Sequence, residues 1–220
     1  MEKSEINKYS ELITTKPKLI LCSDKDFLDD LKLAVLAEKI ASFKEVICEI
    51  GSGSGEHLLM LAMKNPDKLY IGLEIRYKRI YRTAEKAELY GLRNVMVARH
   101  NARLIDKLFK PASLNGIYIN FPDPWFKKRR WEKHKLITPE FIVTLENLLE
   151  KGGFISYKTD HKERFLQVCD ILSTNENLHI KKHSSDLVSS EFYCENIATE
   201  FERLFVTKSL PIYFVYSEKV

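Results

Sequence analysis

The residues best suited to chemistry stand together as Asn120-Phe121-Pro122-Asp123-Pro124-Trp125. Two prolines bracket Asp123 and drive the residue before each of them out of helical geometry, so the loop is stiff and its carboxylate is aimed. Phe126, Lys127, Lys128, Arg129, Arg130, Trp131, Lys133 and Lys135 follow, with only Glu132 opposing six cations. Aromatic faces interleaved with positive charge offer base stacking and phosphate contacts together, the combination that RNA recognition uses.

A second constellation is Gly51-Ser52-Gly53-Ser54-Gly55, flanked by Glu49 and Glu56. Glycines let a ligand lie against the main chain. Position 56 is Glu, so the third glycine of the dinucleotide fingerprint is missing, which argues against a nicotinamide-dependent dehydrogenase. The two carboxylates would repel a pyrophosphate and favour a cationic sulfonium carrying an amino group. Glu74, nineteen positions after Gly55, stands near the distance at which an acid accepts from both hydroxyls of a ribose. Three further candidates each have two readings. Asn101 could hold an adenine edge or cap a helix, Asp160 could face a pocket or cap the next helix, and Thr199-Glu200-Phe201-Glu202 has the form of a capping box.

The elements that must position these residues alternate between strand and helix. Residues 46–50, 69–73, 95–98, 116–121, 154–158, 178–182 and 212–216 read as seven strands. Helical patterns at 31–40, 58–64, 76–90, 139–149, 161–172 and 199–208 lie before, between and after them. Asp29 or Asp30 is positioned to cap the first of these helices, and Thr138-Pro139 to open the fourth. This pattern predicts an α/β fold: a doubly wound, mostly parallel, seven-stranded sheet with helices on both faces and ligands at the carboxyl ends of its strands. Residues 1–28 are polar, interrupted by Pro17 and without a sustained period; we read them as an extended N-terminal arm and 29–220 as one domain.

Composition sets the outer limits. A chain of 220 residues with 45% hydrophobic content can bury a full core. The net charge of +4 permits a polyanionic partner without demanding one, and distribution is more telling. Arg76, Lys78, Arg79, Arg82, Lys86, Arg93, Arg99 and Arg103 are opposed over their span only by Glu85 and Glu88. Cys22, Cys48, Cys169 and Cys194 form no Cys-x-x-Cys pair, so neither a zinc site nor a disulfide framework is expected. With no apolar run near ~18 residues and no signal-peptide pattern at the start, a cytoplasmic protein without membrane or metal is expected.

At these residues the sequence resembles the tRNA (guanine-N7)-methyltransferase family, from about Cys48 to Tyr216. The resemblance rests on Glu49-Ile50-Gly51-x-Gly53-x-Gly55, Ile71-Gly72-Leu73-Glu74, the proline-bracketed loop with Lys127-Lys128-Arg129, Thr159-Asp160, and Thr199-Glu200-Phe201-Glu202. It implies a Rossmann-like class I S-adenosylmethionine-dependent methyltransferase that modifies guanine 46 in the variable loop of tRNA. It further implies Asp123 at the catalytic position, and Glu49, Gly51, Gly53, Glu74, Asn101 and Asp123 around S-adenosylmethionine. Lys127, Asp160, Thr199, Glu200, Phe201 and Glu202 would meet the tRNA. Asn101 stands where the family often has an acid and Phe201 where it usually has Tyr. The segment after Lys127 is one residue longer than the family pattern, and the arginine-rich amino-terminal arm is sparse. Two other readings remain: an exocyclic-amino methyltransferase, whose Asn-Pro-Pro-aromatic loop superficially matches residues 120–125, and a non-catalytic RNA-binding subunit on the same fold. Monomer and homodimer both stay open.

Overall fold

In a computed structural model, residues 8–16, 18–22, 28–123 and 135–220 are described. Short helix α1 (Lys8–Leu12) and strand β1 (Ile20–Leu21) precede α2 (Asp30–Ala41), β2 (Glu45–Ile50), α3 (Glu56–Lys64), β3 (Lys68–Glu74) and α4 (Tyr77–Leu89). Then come β4 (Val95–Arg99), β5 (Leu114–Asn120), α5 (Pro139–Leu148), β6 (Leu149–Thr159), α6 (Lys162–Ser173), β7 (Leu178–Ser184), α7 (Glu200–Thr207) and β8 (Tyr213–Lys219).

Helix starts follow the capping residues. Asp29 accepts from the Lys32 amide at 3.0 Å and Thr138 from the Phe141 amide at 3.2 Å, with Pro139 in the first turn. Each cap supplies an acceptor to an amide that has no intrahelical partner.

The strands form one sheet in the order β1-β4-β3-β2-β5-β6-β8-β7. All neighbours through β6 run parallel, whereas β8 is antiparallel to both β6 and β7. The order reverses between β2 and β5, so a crevice opens beyond their carboxyl ends. Alternation along the strands divides the core in two. Val46, Cys48 and Ile50 pack with residues of α2, α5 and α6 on one face, while Ile47, Tyr70 and Val97 pack with α3 and α4 on the other.

Two expectations are corrected. Among the described residues the sheet has eight strands, because Ile20 and Leu21 pair with Val97 and Ala98. Two residues are too few to show a strand period in the sequence. The amino-terminal segment is also not uniformly extended: α1 lies on α4, with Tyr9 and Tyr81 ring centroids 5.8 Å apart and Lys16 paired with Glu88.

Candidate active site

A cavity of about 400 Å³ lies at the β2/β5 switch point. The loops after β2, β3, β4 and β5 form its walls, and Thr199, Glu200 and Phe201 at the start of α7 close one side.

The loop after β2 is shaped by its glycines. Gly51 has φ +74° and donates its amide to Leu73 O at 2.8 Å, a turn that an L side chain would strain. Gly55, at φ +76°, lies so close to α4 that a Cβ there would stand 2.3 Å from Thr83 Cγ2. The Thr83 hydroxyl also reaches Gly53 O at 3.3 Å, and Lys86 Nζ donates to Ser54 O at 3.3 Å. Helix α4 thus holds the loop from behind.

Strand alternation places Glu49 and Asn120 on the same face of adjacent strands. Asn120 Nδ2 donates to Glu49 Oε1 at 2.9 Å, and His57 Nδ1 lies 3.1 Å from the same oxygen. Glu49 and His57 are 2% and 4% exposed, and Glu49 Oε2 has no hydrogen-bond partner among the described residues. On β3, Glu74 Oε1 accepts from the amides of Ile75 and Arg76 at 2.8 and 2.9 Å. Its Oε2 is 3.9 Å from an Arg79 guanidinium nitrogen. Asn101 does two things at once: it lines the cavity, and its side-chain oxygen caps the 3-10 helix Ala102–Lys107 by accepting from the Arg103 amide at 3.1 Å.

Strand β5 ends one residue before the sequence pattern suggested, because Phe121 turns to φ +50°. This left-handed conformation is strained for an aromatic residue, and such strain concentrates at functional sites. It swings the following Pro122 and Asp123 to the cavity wall, where Asp123 is exposed. The Phe121 ring packs toward Phe201 and Phe205, with centroids 6.4 and 5.3 Å away. Lys127 and the rest of the basic tail through residue 134 lie outside the described residues.

The α7 segment is a capping box. Thr199 Oγ1 accepts from the Glu202 amide at 3.0 Å and the Glu202 carboxylate accepts from the Thr199 amide at 3.4 Å. Glu202 is fully buried and does not line the cavity; Lys158 Nζ donates to it at 2.9 Å, and Asn196 donates to its other oxygen. Burial lowers the Lys158 pKa from its ordinary value, and the facing Glu202 opposes that shift. Asp160 is exposed and also off the cavity; the Thr159 hydroxyl accepts from the amide of His161, the residue before α6.

The structure therefore gathers Glu49, Gly51, Gly53, Glu74, Asn101, Asp123, Thr199, Glu200 and Phe201 around one cavity and leaves Asp160 and Glu202 outside it. Sequence reasoning missed His57, Arg79 and Lys158. For Lys158 a signal existed: it shares a strand face with Phe154 and Ser156, and a cation on a buried face demands a partner. His57 in a helix-forming run carried none. Among the described residues, no group of three or more His, Cys, Asp or Glu could hold a metal ion, and no helix is long and apolar enough to cross a membrane.

The sheet order, the crevice at its switch point and the glycine loop opening α3 define a class I methyltransferase fold. An antibiotic-related methyltransferase of known structure superposes with a TM-score of 0.67 at 20% identity, covering 91% of this chain and all of that one. A family model described as "Putative methyltransferase" matches residues 44–215. The tRNA (guanine-N(7)-)-methyltransferase of Mycoplasma genitalium is 34% identical over 188 residues, 83% of this chain and 89% of that protein. The chain belongs to the tRNA (guanine-N7)-methyltransferase family. It is also 34% identical, over 94% of its length, to a bifunctional glycosyltransferase/methyltransferase of Fusobacterium nucleatum, of which it spans 32%.

Proposed function

We propose that this chain transfers the methyl group of S-adenosylmethionine to N7 of guanine 46 in the variable loop of tRNA. The observation that carries the reading is the convergence of Glu49, Glu74, Asn101 and Asp123 with the face of α7 on one cavity. The site fits the cofactor: the buried Glu49 Oε2 without a donor suits an ammonium group, Glu74 Oε2 a ribose hydroxyl, and Asn101 an adenine edge. Bound there, S-adenosylmethionine would supply a methyl group activated by its sulfonium.

Guanine N7 carries an in-plane lone pair and no proton, so the enzyme needs no obligatory general base. Position and electrostatics do the work. As N7 gains a bond the purine becomes cationic, and Asp123, exposed at the cavity wall, stabilises that charge. Phe201, 42% exposed and lining the cavity, offers a stacking face to the base, while Thr199 and Glu200 offer polar contacts to its edge. Glu202, with its carboxylate already engaged, holds α7 in place and leaves base contact to its neighbours. Lys127 and Asp160 are assigned to the tRNA, Asp160 from outside the cavity.

The test is incubation of the purified chain with labelled S-adenosylmethionine and tRNA transcripts with and without a variable-loop guanine. Label should enter only the first, and borohydride followed by aniline should cleave that product at the modified base. Equal labelling of both transcripts overturns the positional assignment, and an uncleavable product points to an exocyclic amine instead of N7.

A further inference from the structure

We propose that His57 is a positioning residue of the cofactor site, which with Asn120 engages one oxygen of Glu49 so that the other stays bare for a ligand's ammonium group. The proposal rests on the S-adenosylmethionine reading above and deepens it.

The argument begins with what Glu49 can do. An ionised carboxylate only accepts hydrogen bonds, so His57, whose Nδ1 approaches Glu49 Oε1 to 3.1 Å, is assigned the Nδ1–H tautomer. Asn120 Nδ2 converges on the same oxygen at 2.9 Å and lies 3.2 Å from His57 Nδ1. One oxygen thus takes both donors. Glu49 Oε2 and Asn120 Oδ1, both buried, have no donor among the described residues.

Two unmatched acceptors beside a carboxylate suit a group with several N–H bonds, and a primary ammonium presents three. Without such a ligand the carboxylate lacks a partner that burial makes valuable, so its orientation depends on the donors behind it. His57 is well placed to impose that orientation. It occupies the first turn of α3, is 4% exposed, and its ring meets Tyr118 edge-on at 4.9 Å and 76°. Removing the Nδ1 proton would leave Oε1 with Asn120 alone and free the carboxylate to turn.

Calorimetry on the full chain tests this with two nucleosides: S-adenosylhomocysteine, which carries the amino-acid ammonium, and methylthioadenosine, which lacks it. His57→Phe should lower S-adenosylhomocysteine affinity about tenfold, the size expected for a hydrogen bond to a charged group, and change methylthioadenosine affinity less than about twofold. His57→Asn sets an amide N–H where Nδ1 stands and should recover affinity to within about threefold of wild type. His57→Gln sets its amide farther out and should not. Unchanged binding of both nucleosides by His57→Phe overturns the proposal, as does proportional loss of both, which marks a merely structural residue. A wild-type chain that binds neither nucleoside overturns instead the cofactor reading beneath it.

Discussion

At the scale of single residues, Asp123 is set apart by where its backbone places it. Phe121 at φ +50° and Pro122 carry it to the cavity wall while leaving it exposed, and the proposed function has it meet a charge that develops in the transition state. Asp123→Asn keeps the shape and removes the charge. We expect kcat to fall about 100-fold while the tRNA Kd changes less than about threefold, measured by steady-state kinetics and filter binding. Comparable losses in both would remove the transition-state role. Glu49 and Glu74 could be placed at the crevice from the sequence because each sits at a strand end beside a turn. Glu202 read locally as half of a capping box and by resemblance as a tRNA contact, whereas the buried lysine that takes up its charge comes from a strand 44 positions earlier.

At the scale of elements, α7 is the piece whose placement decides the shape of the cavity. Its apolar side, Phe205 against Phe121, is supplemented by the Lys158–Glu202 pair, whose side chains are 4% and 0% exposed. A buried pair is not itself a large source of stability, but removing one partner strands the other's charge. Lys158→Met should therefore destabilise the fold by about 3–5 kcal/mol in urea titrations. Adding Glu202→Leu to Lys158→Met should restore a substantial part of that loss. A double variant as unstable as the sum of the singles would show that the two groups do not interact. The same element explains why substrate contacts assigned from the motif separate into two groups. Thr199, Glu200 and Phe201 begin the helix and look into the cavity, whereas one further step around the helix points Glu202 into the sheet.

At the scale of the whole molecule, the charge distribution matters more than the net +4. Arg76 and Arg79 line the cavity, Arg99 stacks on Tyr77 with its guanidinium 4.4 Å from the ring centroid, and Arg103 follows Asn101. These cations gather where β3 and β4 end, beside the acidic residues assigned to the cofactor. An RNA backbone drawn to that rim would make affinity fall with salt. Raising salt from about 50 to about 200 mM should weaken tRNA binding at least tenfold, as on the order of three phosphate contacts would require, and leave S-adenosylhomocysteine affinity within about twofold. Parallel salt dependence of both ligands would detach the basic rim from RNA binding.

Several features of this protein were settled by sequence alone because they are recorded locally. Strand and helix periods, the cap at Thr138, the glycine turn and the proline-bracketed Asp123 each lie within a few residues of one another, and together they specified a mostly parallel α/β sheet with a crevice at its strand ends. Tertiary structure decided the rest. The pairing of β1 with β4, the insertion of antiparallel β8 between β6 and β7, the meeting of Glu49 with Asn120 across 71 positions and the burial of Lys158 against Glu202 all depend on which distant surfaces meet. A buried polar group must find a partner, but its own neighbourhood in the chain does not say which one.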